Sequence, residues 1–147
     1  LAPWALEMHA TCVIAHARHG RLDLVAGVAA EVSPTLAGML DTPVDRPPTY
    51  FVVYPLWGAF LLAQAMIDVS GRTVDGRVSA RMIALALRLH FAQQFPSTMS
   101  GDRARETARH ADGPAYDEAV SSYAGLDPEA QRRAAQELLH QRDGSRS

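Results

Sequence analysis

Apolar and polar residues follow one another with a helical period almost from the start of the chain. Between Pro3 and His19 the apolar residues Trp4, Leu6, Met8, Cys12, Val13 and Ile14 recur at helical spacing, and Arg18-His19-Gly20 makes a fitting C-terminal end. Asp23 stands ready to cap a second helix through Leu24, Val25, Val28 and Val32. Its pattern resumes at Leu36 and Met39-Leu40 beyond Ser33-Pro34, so a kink or break is expected there, because proline removes a backbone donor and clashes with the preceding turn. Asp41–Thr49, with Pro43, Pro47 and Pro48, reads as a loop, and Thr49 as the cap of a third helix over Tyr50–Val69. After the turn Ser70-Gly71-Arg72 a fourth helix starts at Asp75, and its apolar residues Val78, Met82, Leu85 and Leu89 repeat at four, three and four. Phe95-Pro96 ends it. Ser100 to Ala111 reads as a short polar helix, Gly113-Pro114 opens another through Tyr116, Val120 and Tyr123, and Asp127-Pro128 caps a last one through Leu138-Leu139. Beyond Gln141 the chain is expected to fray. No segment carries a strand pattern.

Tyr50–Val69 organises the rest. It is about as long as a bilayer-spanning helix, and Gln64 and Asp68 are its only strongly polar side chains apart from two tyrosine hydroxyls. Pro55, the late Gln64 and Asp68, and the lack of a second apolar segment or a basic cluster to set an orientation argue against a membrane span. The reading that remains is a core helix covered on several sides. Short helices joined by short turns fold as antiparallel hairpins. The fold class expected is therefore all-α, with about seven helices in a single domain over residues 1–147. A first hairpin spans 1–41, a second 49–94, and capping helices 100–141. Gly20 and Gly71 in the turns, with small or branched residues such as Ala80, Ala84 and Leu87 on the inner face, give the hairpins the sense of a short right-handed tetratricopeptide-like solenoid.

Composition narrows the chemistry. Apolar residues make up 48% and charged ones 20%, with a net charge of −2, so the chain is neither disordered nor a polyanion binder by bulk charge. Every basic residue is arginine, which removes a P-loop lysine, a Schiff-base lysine and a lysine general base. Cys12 is the only cysteine, which excludes a disulfide framework and points to a reducing, cytoplasmic setting. The start Leu1-Ala2-Pro3-Trp4 is already helix-like and reads as a piece of a longer protein.

Four groups of residues invite a chemical reading. His9, Cys12, His16 and His19 fall within an arc of about 80° on the first helix and could supply part of a transition-metal site, although one helix rarely completes four ligands. The plainer reading makes Cys12 core, with His9 and His16 bordering it and His19 at the helix C-terminus. Arg77, Arg81 and Arg88 share an arc of about 40° on the fourth helix, better explained as a solvated face than as a nucleic-acid stripe. Asp112, Asp117 and Glu118 stand at a helix start, where capping and the helix dipole account for them. Tyr50, Tyr54, Trp57 and Phe60 could line a pocket, but at helical spacing they read as core. There is no Gly-x-Ser-x-Gly elbow, and no catalytic residues are expected.

The run Phe95-Pro96-Ser97-Thr98-Met99-Ser100, with Arg103-Ala104-Arg105, Ala111-Asp112-Gly113-Pro114-Ala115-Tyr116 and Ala119 through Asp127, resembles the extreme C-terminal region of large actinobacterial regulators. These are of the antibiotic-regulatory-protein type, with a bacterial transcriptional activator domain. The likeness extends back through Leu85-Ala86-Leu87-Arg88, Pro55-Leu56-Trp57-Gly58, Arg46-Pro47-Pro48 and Ala17-Arg18-His19-Gly20-Arg21-Leu22-Asp23. The resemblance implies a tetratricopeptide-like sensory or protein-interaction domain, not an enzyme, that controls DNA-binding and nucleotide-binding domains lying outside this chain. It implies no cofactor and no nucleic-acid contact by the chain itself. Partners would be the adjoining domains, or a protein, peptide or small-molecule effector, seated on a face formed by helices one and three. The residues expected there are His9, His16, Tyr54, Trp57 and Gln64. The alternative is a small helical metal- or ligand-binding protein using His9, Cys12, His16 and His19, and a third reading is a self-associating homodimer.

Overall fold

The computed structural model describes residues 2–42, 47–72, 74–91 and 97–145, without the side chains of 47–52. The expected stop at Phe95-Pro96, Pro43 of the expected loop, and the side chains of Thr49 and Tyr50 lie outside the described residues. Among the described residues six helices run in order: α1 (Pro3–Arg18), α2 (Ala26–Asp41), α3 (Pro47–Gly71), α4 (Gly76–Arg88), α5 (Gly101–Tyr123) and α6 (Pro128–Ser145). A 3-10 turn, Leu22–Val25, precedes α2, and no strand occurs among the described residues.

Several helix ends fall where local chemistry directs. Gly20, at φ 68°, closes α1, with Gly20 N–H donating to Ala17 O and Arg21 N–H to His16 O at 2.8 Å, the paired bonds of a Schellman ending. The carboxylates of Asp75 and Asp127 and the hydroxyl of Ser100 accept backbone N–H groups at the starts of α4, α6 and α5. Other expectations need correction. Asp23 caps nothing; it pairs with Arg21 at 3.1 Å beside the 3-10 turn. α3 begins at Pro47, not at Tyr50, because proline suits the first helical turn, where its missing N–H is an orphan in any case. α2 runs through Pro34 without a break. Both Pro34 and Ala30, whose carbonyl loses its partner, are exposed, so water can take the freed acceptor.

The difference between six helices and about seven lies in α5. Asp112 leaves helical geometry at φ −165° and ψ 95°, yet the halves on either side abut without a loop. Its carboxylate accepts from Ala115 N–H at 3.0 Å and so caps the half that Pro114 opens. Replacing Asp112 by alanine is expected to cost about 1 kcal/mol, the usual worth of an N-cap. Asp112→Asn should cost much less, and urea unfolding of the pair checks it.

α3 is the centre. It packs against α1, α2 and α4, while α4 in turn carries α5. Leu61, Leu62, Ala63 and Ala65 of α3 are fully buried, together with Val13 and Ile14 of α1, Leu36 and Leu40 of α2, and Met82 and Leu85 of α4. A second apolar segment does exist, contrary to expectation: both Leu22–Asp41 and Val53–Gly71 are long and apolar enough to cross a membrane, but 67% of the latter lies inside the protein, as a core helix should. Only 11% of the first is buried, so α2 presents much of its apolar surface outward.

The last helix returns to the first half of the chain. α6 packs on α4 and on α2, and Arg132 Nη1 and Gln136 Nε2 both donate to Leu40 O, at 2.8 and 3.3 Å, in the last turn of α2. These side chains occupy a carbonyl that a helix end leaves without an intrahelical donor. Arg132 also grips Glu129 through two bonds, which holds that carboxyl below its ordinary range.

Candidate functional site: a polar cleft beside a buried ion pair

A buried ion pair joins α3 to α6. Arg142 Nε donates to Asp68 Oδ2 at 2.7 Å, and Gln64 Nε2 donates to Asp68 Oδ1 at 3.0 Å. Asp68 is 1% exposed, Gln64 2% and Arg142 5%, so the charges answer each other away from water. Arg142 also reaches Asp143 at 2.9 Å. The C-terminal segment therefore does not fray after Gln141: α6 continues to Ser145, with Arg142 on the inner stripe that Ala135, Leu138 and Leu139 begin. An acid in apolar α3 and a base on the apolar stripe of α6 were the signal; their separation along the chain hid the pairing.

The expected binding face is not open. Trp57 is buried in the core, as is Phe60; the Trp57 ring meets Tyr54 at a centroid distance of 5.0 Å, and its Nε1–H has no partner among the described residues. Gln64 turns inward to Asp68. Only His9, which is exposed, and half-buried His16 and Tyr54 keep any surface. On α1 the structure brings Cys12 and His16 together, with Sγ and Nδ1 3.7 Å apart and Nδ1 also 2.7 Å from Cys12 O. His9 and His19 are exposed, and among the described residues no three His, Cys, Asp or Glu side chains converge on one point. Two donors from one helix leave a tetrahedral metal half ligated.

The other groups spend their charge on packing. Arg81 faces Glu118 at 3.9 Å, and Arg88 donates to Ala124 O at 2.6 Å, so two of the three arginines on α4 tie it to α5 and its C-terminal turn. Asp117 faces Arg109 at 3.8 Å, and Asp112 is a cap.

A cleft of about 380 Å³ opens where the end of α1, the end of α3 and the first half of α5 come together. Its apolar wall is Ala17, Met66 and Val69; Arg18, Ser70, Arg103, Glu106, Thr107 and His110 supply the polar side. The two arginines hold the segment before α5, with Arg18 Nε donating to Thr98 O at 3.1 Å and Arg103 Nη1 to Ser97 O at 2.7 Å. Arg18 Nη2 is buried and has no hydrogen-bond partner among the described residues. Burial lowers the Arg18 pKa from its usual value, and the nearby Arg103 charge adds to this while Glu106 opposes it. The site joins three segments far apart in sequence, none with a motif, so periodicity could not find it; Arg18 reads simply as the end of a helix. No family model, curated protein or solved structure matches the chain.

Proposed function

We propose that this chain is a sensory and interaction domain of a transcriptional regulator, as the resemblance to the C-terminal region of actinobacterial regulators implies, and that it receives its effector in the cleft between α1, α3 and α5. The observation that carries this reading is the cleft itself: a space in the small-molecule range, apolar on one side, with charged groups converging on the other. Packing of α1 and α2 on α3, of α3 on α4 and of α4 on α5 supports a tetratricopeptide-like stack, which the return of α6 to α2 then closes. No catalytic role is assigned.

Signalling follows from linkage. An effector shifts the activity of neighbouring domains only as far as it prefers one of their arrangements over another. Arg18 and Arg103 hold the carbonyls of Thr98 and Ser97, so anything that competes for these guanidinium groups loosens the segment leading into α5.

Thr107→Trp, introduced into the gene in its own genome, tests the reading. The indole fills the cleft, and transcript profiles are expected to change while the purified variant keeps its melting temperature. Unchanged transcripts with a stably folded variant would sink it.

A further inference from the structure

Resting on that cleft as the effector site, we infer that its ligand is an amphipathic carboxylate: an acid head paired with Arg18 and Arg103 and an aliphatic body laid against Ala17, Met66 and Val69. The geometry of the charges points to an anion. Two guanidinium groups and one carboxylate, that of Glu106, line the space with His110, so positive charge is in excess on the polar side. The nearness of Arg18 to Arg103 is unfavourable by itself, because like charges repel, and an anion between them would reverse that cost.

Donor bookkeeping points the same way. Arg18 spends Nε on Thr98 O and leaves Nη2 buried and without a partner among the described residues, and a buried donor without an acceptor is destabilising. An acid oxygen offered to Nη2 would satisfy that donor, and a planar fork meeting a carboxylate is the strong form of this contact. Glu106 does not already fill that role: it makes no ion pair with either arginine. The carbonyl end of α1 does not oppose the anion fully either, since His16 O and Ala17 O already accept backbone N–H groups from the Schellman ending.

The apolar wall selects among anions. Met66 and Val69 lie one turn apart on α3, at the spacing that puts two side chains on one face, and Ala17 faces them from α1. A bare inorganic anion leaves that wall wetted, whereas a chain of methylenes covers it and gains from each group removed from water. At the lower end of the small-molecule size range, the cleft fits a short acid.

The test is calorimetric titration of the full chain with octanoate, with octan-1-ol and inorganic phosphate as the neutral and the non-amphipathic comparisons. Octanoate is expected to bind and to move the Arg18 Nε–H resonance in arginine-detected NMR, with octanol and phosphate each at least tenfold weaker. Arg18→Gln should weaken octanoate at least tenfold, and Arg103→Gln should do so by a smaller factor. Because Arg18→Gln also removes the bond to Thr98, Thr107→Trp serves as a second variant; it keeps both arginines and must block octanoate. Equal binding of octanol, phosphate binding as tightly as octanoate, or octanoate binding that survives both Arg18→Gln and Thr107→Trp overturns the inference. If octanoate fails while Thr107→Trp still alters transcripts, the ligand class is wrong and the sensory reading stands. If octanoate binds and transcripts do not respond, the converse holds.

Discussion

Asp68→Ala is expected to melt roughly 10 °C below the parent chain, the largest loss from any single polar substitution in the protein. The change leaves Arg142 Nε, in a residue 5% exposed, without the buried Asp68 carboxylate and with only the exposed Asp143 as partner to the side chain, and Gln64 without its acceptor. Breaking one side of a buried ion pair typically costs about 3–5 kcal/mol, and for a domain of this size each kcal/mol moves the midpoint by about 2–4 °C. Arg142→Ala should cost a similar amount. The pair Asp68→Leu with Arg142→Met behaves differently: both charges are gone and their desolvation with them, so the doubly changed chain is expected to stand within about 1 kcal/mol of the parent or above it. Thermal unfolding of the four proteins completes the cycle. If the double variant is as unstable as the sum of the singles, the residues act independently and the pairing carries no coupling.

Gly76→Ala should also destabilise, by about 1–3 kcal/mol, although alanine is the better helix former. Gly76 is the first residue of α4, and a methyl group there would sit 2.6 Å from Ala111 O, a backbone atom of α5 that cannot swing aside. α4 and α5 would have to separate at the turn that leads into the Asp112 bend. Gly38→Ala is the control with the opposite sign. It lies in the interior of α2, its added methyl meets nothing within 4 Å, and a gain of up to about 1 kcal/mol is expected from helix propensity. Denaturant midpoints of the two variants in one buffer decide the matter; two gains would mean that the α4–α5 contact is looser than drawn here.

Helices were legible in the sequence where they depend on neighbours a few residues away. Val78, Met82, Leu85 and Leu89 announced α4, and Asp75, Ser100 and Asp127 announced helix starts, because periodicity and capping are local. The all-apolar Tyr50–Val69 segment correctly predicted a covered central helix. The errors came where local signals compete with packing. Proline at 34 looks like a break only until the Ala30 carbonyl that it frees proves to be on the solvent side, and Arg142 looks like the start of a frayed tail only until Asp68 is placed beside it. The cleft lay beyond reach for the same reason. Arg18, Met66 and Arg103 belong to three helices, and nothing within any one of them distinguishes its residue from an ordinary surface or core position. The residues expected to form a binding face, Trp57 and Gln64, were conspicuous because they are large or polar in an apolar helix, and those properties serve the interior.

The bond from Arg132 to Leu40 O spans 92 residues, and its timing matters while the chain is being made. At about 5–20 residues per second, Leu40 leaves the peptidyl-transferase centre some 5–20 s before Arg132 is even added. Through that interval the nascent first half carries an uncapped, largely apolar α2 and an Asp68 with no guanidinium to meet it. Until α6 emerges from the ribosome, the apolar face of that segment invites chaperones or neighbouring nascent chains, and the arrival of Arg132 and Arg142 is the event that lets the domain lock.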